Sequence, residues 1–144
     1  MKYSYQGETE KTAKAYGHEE NVSWKDCNEV CYAIRGMKVN KVDEYLQKVL
    51  KKEDFIPMRR YAKGVPHRRG GSRGRYHTKA VKLILKLLEN AKANAEYRGL
   101  DLEKTRVEHA TTYKALTLGR IKPKGQAKTH NIELANIEIV LKEV

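Results

Sequence analysis

The residues with the most chemistry to offer lie between Arg59 and Lys79, RRYAKGVPHRRGGSRGRYHTK: eight lysines or arginines, two histidines, four glycines and no carboxylate. Such a run repels itself and gains nothing from burial. Its charge is therefore of use toward an external polyanion, of which nucleic-acid phosphate is the commonest. Arg59, Arg60, Lys63, His67, Arg68, Arg69, Arg73 and Arg75 are the groups that would meet it. Gly64, Gly70, Gly71 and Gly74 would let the backbone approach a phosphate where a side chain would collide. A merely solvated basic linker is the plain alternative. Tyr61, Pro66 and Tyr76 interrupt the run, and long amphipathic segments flank it, which argues against that alternative.

Other chemistries fit less well. GVPHRRGGSRGR lacks the Gly-Lys-Ser/Thr ending of a phosphate-binding P-loop, and no hydrophobic strand with dinucleotide-type glycine spacing precedes it. His67, His77, His109 and His130 have no serine or carboxylate arranged beside them as nucleophile and base, so no enzyme is expected. Cys27 and Cys31 stand four apart, but no second Cys/His pair stands at zinc-ligand spacing. Both fall on the apolar stripe of a helix and read as core, with no metal and no cofactor implied. No signal peptide or membrane-spanning run is visible, and an intracellular chain with reduced thiols is expected.

The elements that position the basic run follow from periodicity. The opening MKYSYQG alternates like a short strand, and the polar stretch from Gly7 through Glu8 to Glu20 reads as an irregular connection. Ser23 caps a first helix, with Asp26 at the capping-box position and Val22 able to staple onto Cys27. Cys27, Val30, Cys31 and Ile34 form its stripe, and Gly36 ends it. Asn40 and Asp43 signal a second start, with Val42, Tyr45, Leu46, Val49 and Leu50 as core and Pro57 as the stop. Two short helices around a tight turn also fit a helix-turn-helix regulator. The acidic Asp43, Glu44 and Glu53 on the would-be groove face weaken that reading.

The longest helix is expected from about His77 to Arg98, closed by Gly99 in a left-handed position. Val81, Ile84, Leu85, Leu88, Ala91 and Ala95 lie on one face, and Lys79, Lys82, Lys86 and Asn90 on the other, so the cationic face extends the basic run. Beyond Leu100 the period becomes two. Thr105, Val107, His109 and Thr111 face one way. Ile132, Leu134, Ile137, Ile139 and Leu141 form a second strand with a phase slip at Ala135-Asn136 that suits a bulge. Between them Lys114, Arg120, Lys122, Lys124 and Lys128 decorate a turn-rich connection. Two strands this long would project as a basic ribbon, which is most simply explained if it inserts into something anionic.

The 144 residues, 40% of them hydrophobic, suit one core and one domain. The net charge of +12 is not spread evenly. Residues 1–58 hold 10 cations and 10 anions, 59–98 hold 12 and 2, and 99–144 hold 8 and 6. A coat worn only for solubility would not concentrate its excess in the middle third.

Taken together, YSYQ at Tyr3 to Gln6, EVCYAIRGM at Glu29 to Met37, RRY at Arg59 to Tyr61, GRYHTKA at Gly74 to Ala80 and LLENAKANAEYRGLD at Leu87 to Asp101 resemble a known family. This is the universal large-subunit ribosomal protein twenty-two family in its archaeal and eukaryotic form. The resemblance covers nearly the whole chain, and His109 at the start of the hairpin fits it. Gln126 stands where the family has its last tip arginine, and Asn136 where it tends to have histidine. The resemblance implies an α+β fold of three helices packed on a small antiparallel sheet, with a globular part at about 1–108 and 132–144 and a long protruding hairpin at about 109–131. It further implies large-subunit rRNA, neighbouring ribosomal proteins and the nascent polypeptide as partners, with no membrane and no small-molecule substrate, in the cytoplasmic large subunit. The basic residues named above would then be rRNA contacts, and Leu116, Leu118 and Gly119 would form a tip facing the polypeptide exit tunnel.

Overall fold

The computed structural model describes every residue except Met1, Lys2, Glu8 and Ala127. The elements run β1 (Thr12–Glu20), α1 (Trp24–Ile34), α2 (Val39–Lys51), β2 (Ile56–Pro57), β3 (Gly74–Arg75), α3 (Thr78–Tyr97), β4 (Thr105–Leu118) and β5 (Ile132–Glu143). The long strands form an antiparallel sheet in the order β1-β5-β4, and β2 pairs with β3 in a separate two-stranded ladder. This is the expected α+β mixture of three helices and an antiparallel sheet.

Register explains which residues make the core. Directly paired residues share a face, so Ala13, Leu141 and Val107 form one row, Ala15, Ile139 and Ala110 the next, and Gly17, Ile137 and Thr112 the third. The apolar side chains of these rows belong to one buried cluster with Val30, Ile34, Ile84 and Leu88 of the helices. On β1 the row-forming residues are small because α3 lies close above them: a Cβ on Gly17 would stand 2.9 Å from Leu87 Cδ1. Leu87 is accordingly buried, and Leu85, expected in the core, is only half-buried.

The first twenty residues correct the sequence expectation. The strand is Thr12–Glu20 and not the tyrosine-bearing opening, of which Met1 and Lys2, like Glu8 in the expected connection, lie outside the described residues. Residues 3–5 instead lie on the sheet face away from the helices. Ser4 donates from its backbone N–H and its hydroxyl to the buried carboxylate of Glu138, at 3.0 and 2.6 Å. Tyr3 packs edge-on against Tyr16, Tyr5 lies against His109, and Lys14 reaches over both tyrosine rings. Alternating small residues in a polar setting had hidden a strand whose partner is the far end of the chain.

Ser23 caps α1 as expected, its hydroxyl accepting the Asp26 N–H, and Gly36 follows the helix at φ +76°. The start of α2 differs from expectation. Its cap is Lys38 and not Asn40, and no side chain closes it. The backbone there is fixed by β4: Gly36 N–H donates to Val107, Val107 N–H to Met37, and Lys38 bridges Arg106. Pro57 does not stop α2, which ends at Lys51 with Lys52 in the left-handed region. Pro57 lies in β2. α3 spans Thr78–Tyr97, and Gly99 takes its predicted positive φ.

Two irregularities set the hairpin. Val107 pairs with Leu141 but His109 with Val140, so Glu108 is an extra residue and the alternation inverts. Ala110 and Thr112 therefore face the helices, where His109 and Thr111 were expected. The slip expected at Ala135-Asn136 is not in β5, where Ala135, Ile137, Ile139 and Leu141 alternate without a break; the extra residues belong to its neighbours. One is on β1 between Gly17 and Glu20, where Glu19 N–H donates to Asn136 Oδ1 at 2.8 Å, and one is on β4 between Lys114 and Thr117.

Candidate nucleic-acid interface

The basic run is a folded hairpin and not an open loop. Met58 N–H donates to Arg73 and Gly74 N–H to Pro66, while Arg68 and Ser72 close a turn through Arg68 N–H. Its opening is held by a residue from α1 that sequence reasoning missed. The carboxylate of Glu29, 0% exposed, accepts the backbone N–H groups of Arg59 and Arg60 at 2.9 Å each and of Tyr61 at 3.2 Å. This corrects the expectation that nothing neutralises the run. One buried anion takes its first three amides, which leaves the Arg59 and Arg60 side chains outward. No periodicity signals this role, because the amides it serves lie thirty residues away.

Glycine use is also divided. Gly64 and Gly70 have positive φ and open space around them. Gly71 and Gly74 serve internal packing: a Cβ there would stand 2.3 and 2.1 Å from the ring of Phe55, which packs against both. Only the first two keep the expected freedom toward a ligand.

At the far end of the run, His77 has φ +40° and a side chain that is 4% exposed. Its Nδ1 lies 3.3 Å from Asp26 Oδ1, and its Nε2 lies 2.9 Å from Met58 Sδ. Asp26 thus joins the start of α1 to the start of α3. Lys79 lines one hollow with Ser23, Lys52 and Tyr76, and a second with Lys82 and Lys86, so the hairpin's end and the cationic face of α3 adjoin.

The predicted phosphate contacts divide accordingly. Arg59, Arg60, Lys63, His67, Arg69, Arg75, Lys79, Lys82 and Lys86 are exposed, and among the described residues none of them pairs with a carboxylate. Arg68 and Arg73 have partial internal roles. Arg68 Nε donates to Gly74 O at 3.0 Å and its guanidinium covers Tyr76, while Arg73 reaches Ala62 O at 3.5 Å.

On the ribbon, Lys114 is engaged with Glu133 at 3.0 Å, and that contact holds the Glu133 carboxyl below its ordinary range. Arg120, Lys124 and Lys128 are exposed and Lys122 is half-exposed, all without an ion pair among the described residues. The strand β4 runs through Leu118: Thr117 and Leu118 pair with Glu133 and Ile132, and Ala115 and Leu116 lie in the bulge before them. Beyond them His130 N–H donates to Arg120 O and Lys122 N–H to Lys128 O. Leu116, Leu118 and Gly119 are exposed, as is Ile121 at 81%.

Away from this surface, Cys27 and Cys31 sit in the core as read. The Cys31 thiol lies 3.4 Å from Thr112 Oγ1. No helix of the described residues is long and apolar enough to cross a membrane.

Sequence comparison agrees with this geometry. The family model described as Ribosomal protein L22p/L17e matches residues 15–142. Similar proteins include the large ribosomal subunit protein uL22 of Methanocella arvoryzae, 46% identical over 92% of this chain and 90% of the relative. The protein of the same name from Methanocaldococcus jannaschii is 40% identical over 99% and 95%. That of Archaeoglobus fulgidus is 40% identical over 97% and 94%. The family is one of ribosomal structural components and not of enzymes. With the model match spanning most of the chain and relatives well above 30% identity along nearly its whole length, this chain belongs to the L22p/L17e family of large-subunit ribosomal proteins.

Proposed function

We propose that this protein is a structural constituent of the cytoplasmic large ribosomal subunit. It binds large-subunit rRNA through the Arg59–Arg75 hairpin and the Lys79, Lys82 and Lys86 face of α3. It extends the ribbon beyond Thr112 into the wall of the nascent-polypeptide exit tunnel. The observation that carries the reading is the cationic surface on a backbone fixed by Glu29: its exposed side chains form no ion pair among the described residues. Helical RNA offers proteins mainly backbone and 2′-hydroxyls, which suits arginine forks and lysines better than base-reading side chains.

On the ribbon, Arg120, Lys122, Lys124 and Lys128 face rRNA, while Leu116, Leu118 and Gly119 line the channel. Neighbouring ribosomal proteins and the nascent chain complete the partners. A helix-turn-helix regulator has less support. Asp43, on the helix that would enter a groove, is bound to Lys92 of α3 at 2.7 Å, and the start of that helix is tied to β4.

Assembly competition tests the reading. A variant with Arg59, Arg69, Arg75 and Lys82 changed to Gln should keep wild-type helicity and lose to the wild type for entry into large subunits. Equal incorporation at competing concentrations would refute it.

A further inference from the structure

Three surfaces compete for attention: the hollow shared by the starts of α1 and α3, the exposed apolar tip of the ribbon, and the outer face of α1. The third carries an argument of its own. Because Glu29 pins residues 59–61 along α1, side chains from two distant segments interleave there. Tyr61 meets Trp24 edge-on at 5.8 Å, with Lys25 Nζ 5.3 Å from the Tyr61 ring. Two turns further along the helix, Tyr32 carries the guanidinium of Arg35 at 4.6 Å and that of Arg60 at 5.3 Å. Among the described residues, Arg35 and Arg60 have no carboxylate partner, while Lys25 and the Trp24 indole lie near the Glu133 carboxylate that Lys114 already holds. Tyr32 and Tyr61 are half-buried and, unlike Trp24, are not among the side chains packed against the core.

We infer that this cation–aromatic strip on α1 is a stacking platform for unpaired nucleotides, distinct from the phosphate-binding hairpin. A duplex face would use the cations alone. Flat rings and planar guanidiniums held at the surface add affinity only for a partner that is both planar and anionic, which an unstacked base on its phosphate supplies. The inference rests on the rRNA-binding reading above and names the kind of RNA that this part of the molecule takes.

The chain has a single tryptophan, Trp24, which reports directly on the strip. Titrating the full-length protein with a single-stranded RNA decamer of mixed sequence should quench Trp24 fluorescence, and a duplex of the same length should bind with little quenching. A Tyr32→Leu/Tyr61→Leu variant should bind the single strand about tenfold more weakly while holding the duplex within about twofold. Tyr32→Phe/Tyr61→Phe, which keeps both rings, should behave as wild type, and this comparison separates stacking from a folding defect. The inference is overturned if the single strand fails to quench Trp24, if duplex or polyglutamate quenches it equally, or if the leucine variant loses both RNAs alike. Failure of the wild-type protein to bind duplex at all would instead contradict the reading of the hairpin and α3, and is told apart by the Trp24 signal.

Discussion

Replacing Glu29 by Gln should loosen the basic hairpin and lower the stability of the whole domain. The carboxylate accepts three backbone N–H groups at 2.9 to 3.2 Å in a site closed to solvent. A hydrogen bond to a charged group contributes about 1.5–3 kcal/mol, against about 1 for a neutral one. Glutamine keeps the shape but has one acceptor. The oxygen that serves Arg60 and Tyr61 could remain, while an NH2 would then confront the Arg59 N–H, donor against donor. One bond is lost and two are weakened, a gross cost of roughly 4 kcal/mol. Relief of the buried charge's desolvation offsets part of it, leaving about 2–3 kcal/mol. For a domain of this size that is a fall in Tm of about 6–10 °C. Thermal unfolding by circular dichroism, with amide exchange at Arg59 to Tyr61, measures both parts. A fall equivalent to under about 0.5 kcal/mol, with those amides as protected as in the wild type, would refute the anchoring role.

Gly74→Ala should cost about 1–3 kcal/mol, because the new methyl meets both the Phe55 ring and Ile56 O, and a denaturant midpoint equal to wild type would show that the ring moves freely. Burial raises both thiols, that of Cys31 to about 11, so alkylation at neutral pH should follow global unfolding; rapid labelling of the native protein would contradict the buried placement. Burial, and then the nearby Arg35, lower the His109 pKa in the folded state below its ordinary 6.5. The unfolded chain therefore binds the proton first, and stability should fall as pH drops below about 6.5 toward the depressed folded value. His109→Gln should flatten that part of the pH profile, and superimposable profiles would count against it. Affinity for a duplex rRNA fragment should fall about a thousandfold or more between 50 and 200 mM salt if six to ten phosphates are neutralised, and a flat response would be incompatible with phosphate binding.

Much of the architecture is readable from residue order because its signals are local. Ser23 and Gly36 bracket α1, and Gly99 closes α3 at positive φ. The misses share the opposite property. Ala13, Ala15 and Gly17 read as part of an irregular connection until α3 is laid over them. The bulge at Glu108 shows only in its pairing with β5, and Glu29 looks like any helical acid until residues 59–61 arrive. The site divides the same way. That Arg59, Arg69, Arg75 and the α3 lysines face outward follows from charge and composition. That Lys114 is bound to Glu133, and that Arg68 braces its own hairpin, depends on partners fixed by the fold.

On the proposed function, the outward cations of the 59–75 hairpin and α3 meet rRNA phosphate while the ribbon lines a channel. A density map of the large subunit containing this chain tests it most directly. Phosphate should lie within hydrogen-bonding reach of Arg59, Arg69, Arg75, Lys79 and Lys82, the ribbon cations against RNA, and Leu116 and Leu118 toward the tunnel. A map placing the hairpin and the α3 lysines toward solvent or another protein, with RNA on a different face, would contradict it.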